Sequence, residues 1–152
     1  MAIKTQKTKL YAIDALGTSV LGICATSISV GSASSDEIDI TTLCDDTKQY
    51  LAGLQESPEV TFTINFDPKI AAHVELLAMK KAGTVTKFAL GLSDGVADPT
   101  AAAGDFTLPT TRTWVSFDGF IKEFPLDLQG NAVITSQLSI KCSGDFTLTV
   151  KA

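Results

Sequence analysis

The sequence predicts a mainly β fold, an antiparallel β-sandwich or barrel with one flanking α-helix at about residues 68–82 and long loops. Two observations predict this fold. Several short segments alternate apolar and polar residues, which is the pattern of half-buried strands. Only the segment after Asp67-Pro68 carries apolar residues at helical spacing. The length of 152 residues fits a single domain, residues 1–152, since domains typically have about 100–200 residues.

Residues 59–92 form a predicted strand–helix–strand unit around which the remaining strands gather. The first strand has one polar face, which includes Thr61, Thr63 and Asn65, and one apolar face. The apolar face consists of Val60, Phe62, Ile64 and Phe66. We expect the apolar face to build the core.

The helix of this unit has signals at both ends. Asp67 is the predicted N-cap, and Pro68 suits the first helical position because it has no N–H to leave unbonded. Lys80 and Lys81 complement the dipole of the last turn, and Gly83 is the predicted terminator. The predicted buried stripe is Ile70, Val74, Leu77 and Ala78.

The other predicted strands lie at residues 10–15, 20–30, 112–118, 120–128, 132–141 and 146–150. Their turn-delimited spacing in the C-terminal half favours antiparallel hairpins in a sandwich or barrel. Three segments fall outside this pattern. They are an N-terminal arm (1–8), a long excursion loop (31–58) and a second loop (93–111).

The excursion 31–58 is too apolar for a solvated loop, although a segment of this kind is sometimes disordered. Its residues 36–43 alternate, which fits either an extended arm or an edge strand. Its apolar residues, which need a surface to pack on, are Ile38, Ile40, Leu43, Tyr50, Leu51 and Leu54.

The formal net charge of −5 disfavours nucleic-acid binding, which needs clustered Lys and Arg. The charge is also unevenly placed. Lys4, Lys7 and Lys9 make the first ten residues basic, and an acidic group follows that consists of Asp36, Glu37, Asp39, Asp45 and Asp46. Either both groups are simply solvated, or they are complementary and meet between subunits.

The sequence contains no credible catalytic, cofactor or metal site, so we expect no enzyme. A nucleophilic triad would have to use His73, the only histidine, which falls within the helix and is expected to be at its surface or half-buried. Cys24, Cys44 and Cys142 lack metal-site spacing and are expected to be free thiols. The aspartates of the second loop (Asp94, Asp98 and Asp105) lack the spacing of a calcium loop. No apolar segment reaches the about 18 residues of a membrane helix.

Several segments resemble tail tube proteins of long-tailed, siphovirus-like bacteriophages. They are residues 36–43 (DEIDITTL), 48–54 (KQYLAGL), 60–62 (VTF), the helix start Asp67-Pro68, and the closing segments 119–122 (GFIK) and 139–144 (SIKCSG). The resemblance covers nearly the whole chain. It implies a β-sandwich with one flanking helix, hexameric rings that stack head to tail into a hollow tube, and no catalytic residues.

The resemblance also implies a set of partners and a location. The partners are further copies of the chain, a tape measure protein, tail tip or baseplate proteins, a tail terminator protein, and DNA that passes through without specific binding. The location is the virion tail, assembled in the cytoplasm of the host bacterium. Two alternatives remain open: an inner-tube protein like that of type VI secretion, and a monomeric β-sandwich binding module.

The inter-subunit or ring-stacking residues follow from the charge pattern and the excursion together. They are Lys4, Lys7, Lys9, Asp36, Glu37, Asp39, Ile40, Leu43, Asp45, Asp46, Tyr50, Leu51 and Leu54.

Overall fold

A computed structural model describes residues 2–14 and 16–152. These residues contain one helix and twelve strands. Eight strands form an antiparallel sheet, and the other four form two separate hairpins. The elements are β1 (Lys9–Ile13), β2 (Val20–Ile23), β3 (Ser27–Val30), β4 (Ser35–Asp39), β5 (Tyr50–Gln55), β6 (Glu59–Asn65), α1 (Ala71–Ala82), β7 (Thr86–Gly91), β8 (Thr100–Ala102), β9 (Asp105–Thr107), β10 (Trp114–Glu123), β11 (Thr135–Cys142) and β12 (Thr147–Thr149).

The large sheet curls around a single core. Its strand order is β2-β1-β7-β10-β11-β6-β3, with β12 beside β10. The two edge strands β2 and β3 are joined only by residues 24–26, which span at most about 14 Å when extended. The sheet edges must therefore lie close together, and side chains from β1, β2, β6, β7, β10 and β11 meet in one core cluster. The predicted antiparallel sandwich or barrel with one helix is confirmed.

Strand β6 lies inside this sheet, between β3 and β11. Val60, Phe62 and Ile64 are buried, as the alternation predicts, and Leu138 and Ile140 of β11 lie opposite Phe62 and Val60. Each such side chain contributes about 1.5–3 kcal/mol when it is fully buried. The periodicity of β6 therefore accounts for its central place in the core.

The helix begins three residues later than predicted, with Ile70 as its N-cap. Asp67 does not cap it. The Asp67 carboxylate instead accepts a hydrogen bond from the backbone N–H of Lys69 at 2.9 Å, which makes a local turn before the helix. The end is as predicted, because Gly83 has a φ of 65° and donates its N–H to the Met79 carbonyl.

The predicted buried stripe of the helix is wrong. The buried residues are Ala72, His73, Leu76 and Met79, whereas Ile70 and Val74 are 44% and 49% exposed. Ala72, Leu76 and Met79 form a second apolar set at helical spacing, and this set faces the sandwich.

His73 is buried, whereas the sequence predicts a surface or half-buried position. Its Nδ1 accepts a hydrogen bond from the N–H of Asp67 at 3.1 Å, and its ring stacks on Phe66. A satisfied imidazole tolerates burial. His73 is thus a packing residue that secures the turn before the helix.

The observed strand boundaries differ from the predicted ones at Gly119 and at residues 24–26. The predicted strands 112–118 and 120–128 merge into one strand, β10, which runs from Trp114 to Glu123 and ends before residues 124–128. Gly119 lies inside this strand. A Cβ at this position would stand 2.6 Å from the Lys141 carbonyl oxygen, so glycine permits the close approach of β11. The predicted strand 20–30 is divided into β2 and β3, and β12 pairs with β10.

The second loop contains a short hairpin, β8 and β9, and covers one outer face of the sheet. Tyr11, Ala89 and Trp114 form a second buried cluster there, against Phe106 and Leu108 of the loop. The β1–β7–β10 half of the sheet is therefore covered on both faces. No helix in the described residues is long and apolar enough to cross a membrane.

Candidate assembly interface

The excursion 31–58 contains a β-hairpin, in which β4 and β5 pair in a sheet of their own. Of the two forms predicted for residues 36–43, the strand is observed as far as Asp39. Both ends of the hairpin are fixed at its base. The N–H of Gly31 donates to the Glu59 carbonyl at 2.9 Å, and the N–H of Glu56 donates to the Ser34 carbonyl at 2.8 Å. A Cβ at Gly31 would lie 2.7 Å from the Glu59 oxygen, so this close approach requires glycine.

The register gives the hairpin two different faces. Ile38 lies opposite Leu51, while Glu37 and Asp39 lie opposite Ala52 and Tyr50. Directly opposed residues share a face and successive residues alternate between faces. One face is thus apolar and the other is acidic with an aromatic residue.

The apolar residues of the hairpin face solvent in the single subunit. Ile38, Tyr50 and Leu51 are about half exposed, and Leu43 and Leu54 are 107% and 86% exposed. Ile40, whose N–H donates to the Gln49 carbonyl, extends the apolar face toward the tip. Contiguous exposed apolar residues mark interaction surfaces.

Two of the acidic residues stabilise the tip of the hairpin. Asp39 accepts a hydrogen bond from the N–H of Thr41 at 2.9 Å, and Asp45 accepts one from the N–H of Thr42 at 2.8 Å. Hydrogen bonds from Thr41 lower the pKa of Asp39 below its ordinary value. Asp36, Glu37 and Asp46 are also exposed.

The N-terminal arm lies against the sandwich. The Lys4 carbonyl accepts a hydrogen bond from the Ser93 hydroxyl, and the Lys7 carbonyl accepts one from Nη2 of Arg112 at 2.9 Å. Lys9 is the first residue of β1. The side chains of Lys4 and Lys7 are exposed and that of Lys9 is half-buried.

The arm lysines and the hairpin acids do not pair within one subunit. Across the residues that the structure describes, ion pairs join Lys87 to Asp105 and Asp118, and Lys122 to Glu59. If the arm and the hairpin interact electrostatically, they do so between subunits.

A groove of about 720 Å³ lies beside the arm and was not predicted from the sequence. Ile28 and Val30 of β3 and Leu90 of β7 line it, together with Lys4 and Lys7 of the arm. The alternation of β3 signals an apolar face, but only the fold shows that this face lies under the arm. The groove combines apolar walls with positive charge.

Residues 1–152 match a protein-family model described as phage tail tube, TTP, lambda-like. The chain belongs to the lambda-like phage tail tube family. A relative, Structural protein 3 of Pseudomonas phage PAJU2, is 37% identical over 156 residues, which cover 99% of this chain and 95% of that protein.

Solved structures share the fold of this tail tube protein at low sequence identity. The tail of an empty gene transfer agent particle with C6 symmetry has a TM-score of 0.69 and 15% identity, covering 98% of this chain and 100% of that chain. The SPP1 tail tube has a TM-score of 0.66 and 12% identity, covering 98% of this chain and 80% of that chain. The sheath–tube complex of an extracellular contractile injection system, PVC, has a TM-score of 0.69 and 11% identity, covering 98% and 92%.

The resemblance seen in the sequence is therefore confirmed at the level of the family. The protein is a structural component of the phage tail within the virion. Its family is a structural one and not a family of enzymes.

Proposed function

We propose that the protein assembles into hexameric rings that stack head to tail and form the hollow tube through which phage DNA enters the host. The single observation that carries this proposal is the two-faced hairpin β4–β5, whose apolar face is exposed in one subunit. Burial of this face on a neighbouring copy provides the driving force. A head-to-tail contact repeats without closing, so it generates a filament.

The proposed stacking contact places the hairpin of one ring in the groove beside the arm of the next ring. The apolar face of Ile38 and Leu51 would meet Ile28 and Leu90, which line the groove. The acidic residues Asp36, Glu37 and Asp46 would meet Lys4, Lys7 and Lys9. This arrangement matches apolar to apolar surface and negative to positive charge, which sets register and orientation.

The proposed lumen surface is the outer face of β3, β6 and β11. Thr61 and Thr63 on β6 point to this face, and the residues directly opposite them on the neighbouring strands are Ser29, Ser139, Ser27 and Gln137. These side chains are polar and uncharged. The lysines beside this surface are engaged within the subunit, because Lys141 donates to the Ser57 carbonyl and Lys122 pairs with Glu59. The net charge of −5 further disfavours phosphate binding.

The proposal includes further partners: a tape measure protein that fills the lumen before ejection, tail tip or baseplate proteins, and a terminator protein. It also places assembly in the host cytoplasm. The family match favours this function over an inner tube of type VI secretion, and the exposed hairpin favours it over a monomeric binding module.

Excision of the hairpin tests the proposal. Because the N–H of Glu56 donates to the Ser34 carbonyl, the ends of the segment 35–55 are adjacent, and a Gly-Gly turn can replace it without distorting β3 or β6. We expect the shortened protein to keep its circular dichroism spectrum and cooperative unfolding, and to form no tubes in electron micrographs under conditions in which the intact protein does. Tubes formed by the shortened protein would contradict the stacking role of the hairpin.

A matched pair of double variants separates loss of this face from loss of exposed apolar surface in general. Ile38→Ser with Leu51→Ser removes the apolar face of the hairpin, and Ile70→Ser with Val74→Ser removes equally exposed residues of the helix region. We expect only the first pair to abolish tubes. Equal loss in both pairs would show that no specific surface is involved.

A further inference from the structure

Arg112 is a buried arginine held mainly by backbone carbonyl groups. It is 2% exposed, and its three nitrogens all donate hydrogen bonds. Nε donates to the Leu92 carbonyl at 2.6 Å, Nη2 donates to the Gly91 and Lys7 carbonyls at 2.8 and 2.9 Å, and Nη1 donates to the Ala97 carbonyl and the Tyr11 hydroxyl at 3.1 and 3.2 Å. A buried charge is tolerated only when it is paired or hydrogen-bonded in this way.

The surrounding residues are shaped to receive the guanidinium group. It lies 5.1 Å from the Trp114 ring centroid and 5.8 Å from that of Tyr11, within the range of cation–π attraction. A Cβ at Gly91 would stand 2.6 Å from the Arg112 Cζ, and one at Gly95 would stand 2.9 Å from its Cβ. Two glycines therefore make the space that Arg112 occupies.

The acceptors of Arg112 belong to segments that are far apart in the sequence. Lys7 is in the N-terminal arm, Gly91 ends β7, and Ala97 is in the second loop. The Tyr11 hydroxyl extends the network, because it donates to the Asp98 carboxylate of the second loop at 2.5 Å. Lys7 has a φ of 68°, which residues other than glycine seldom adopt, and the bond from Arg112 holds its carbonyl in this conformation.

We propose that Arg112 is a positioning residue for tube assembly. Its guanidinium fixes the root of the N-terminal arm to the second loop and to the end of β7, so that Lys4 and Lys7 are presented at a set place before rings stack. The role of this tether in assembly rests on the proposed function. The tether itself is measurable in the unassembled subunit, where stacking plays no part.

The first test is Arg112→Lys, which keeps the charge but removes the fork of donors and the planar stacking. In the unassembled subunit we expect the amide of Thr8, which donates to the Thr5 carbonyl, to exchange at least tenfold faster. Trypsin should cleave after Lys7 at least tenfold faster. Exchange in β6 and β11 should not change. Unchanged rates in the arm would overturn the tether, and so would equal acceleration in the arm, β6 and β11, because that would be global destabilisation.

Ser93→Ala is the matched control, because it removes a different hydrogen bond to the arm. The Ser93 hydroxyl donates to the Lys4 carbonyl. We expect faster tryptic cleavage after Lys4 and unchanged cleavage after Lys7. Faster cleavage after Lys7 by the same factor as in Arg112→Lys would overturn the specific role of Arg112.

Tyr11→Phe tests the tether if Arg112→Lys does not fold. It keeps the ring in the second buried cluster and removes only the hydroxyl between Arg112 and Asp98. We expect at least threefold faster exchange in β8, which follows Asp98, and unchanged exchange in β6. An unchanged rate in β8 would overturn the link to the second loop.

Tube formation then tests the purpose of the tether. At a protein concentration at which the wild-type protein forms tubes, we expect Arg112→Lys to form at least tenfold fewer. Normal tubes despite a loosened arm would overturn the positioning role and leave the proposed function intact. If the hairpin excision also left tubes intact, the proposed stacking contact itself would be wrong.

Discussion

At the scale of single residues, the aspartates of the second loop show how polar groups fix an otherwise irregular segment. Asp94, Asp98 and Asp105 do not share a site. Asp94 accepts hydrogen bonds from Thr113, Asp98 accepts one from Tyr11, and Asp105 pairs with Lys87. Each ties a different part of the loop to the sheet. Their sequence spacing excludes a calcium loop but does not reveal these separate anchors.

Asp94 gives a prediction about pH. Its carboxylate accepts from the Thr113 hydroxyl at 2.5 Å and the Thr113 N–H at 2.9 Å, and these bonds lower the pKa of Asp94 below its ordinary value of 3.8. A lowered folded-state pKa contributes stability above the unfolded-state pKa, and this stability is lost as the pH falls through the folded-state value. We expect Thr113→Val to bring the pKa of Asp94 back toward 3.8, as measured by NMR titration of the carboxyl carbon.

The variant Thr111→Val is the control for this experiment, because Thr111 is exposed and close in the sequence. We expect it to leave the Asp94 titration unchanged. The melting temperature of Thr113→Val should also fall less than that of the wild type between pH 5 and pH 2, an interval that brackets the ordinary titration of an aspartate carboxyl group. Identical titration curves for the wild type and Thr113→Val would contradict the assigned hydrogen bonds.

At the scale of elements, the helix offers a direct comparison between its predicted and observed buried faces. Leu76 is fully buried and Val74 is 49% exposed. We expect Leu76→Ala to lower the free energy of unfolding by about 2–5 kcal/mol and Val74→Ala by less than about 1 kcal/mol. Urea denaturation followed by circular dichroism measures both. A larger loss for Val74→Ala than for Leu76→Ala would support the buried face predicted from the sequence instead.

The strands and the helix differ in how well the sequence predicts them, and the reason is physical. A period of two leaves only two choices of face, and in β6 one choice is strongly polar, so the buried face follows directly. The helix offers two apolar sets at nearly equal spacing, Ile70–Val74–Leu77 and Ala72–Leu76–Met79. Only the surface it packs on decides between them. Local composition also gives the wrong prediction at Gly119. It predicts a break between two strands, whereas the glycine is needed because β11 approaches closely there.

At the scale of the whole molecule, the sequence predicts the composition of the candidate interface better than its geometry, and the role of its residues in assembly stays a prediction. The exposed apolar and acidic residues of 31–58 were predicted, but their division into two faces depends on the β4–β5 register. The groove and the Arg112 tether were not predicted, because they join segments that are distant in the sequence. Lys7 and Arg112, for example, are 105 positions apart.

The proposed contact between rings predicts a salt-dependent assembly. Exposed ion pairs contribute about 0.2–1 kcal/mol each, so Lys4, Lys7 and Lys9 together would contribute about 0.6–3 kcal/mol per subunit. The interaction range falls from about 10 Å at 0.1 M salt to about 3 Å at 1 M. We expect tube yield and length in wild-type protein to decrease as NaCl rises. The triple variant Lys4→Gln, Lys7→Gln and Lys9→Gln should form fewer tubes at low salt and respond weakly to added salt.

The control is a triple variant with the same change in net charge elsewhere: Lys69→Gln, Lys80→Gln and Lys81→Gln. These lysines are exposed at the two ends of the helix region and lie outside the proposed contact. If stacking depends on specific pairs, this variant keeps the tube yield and salt dependence of the wild type, measured by sedimentation and electron microscopy. If it loses tubes as the arm variant does, net charge alone governs assembly, and the pairing of the arm with the hairpin is wrong.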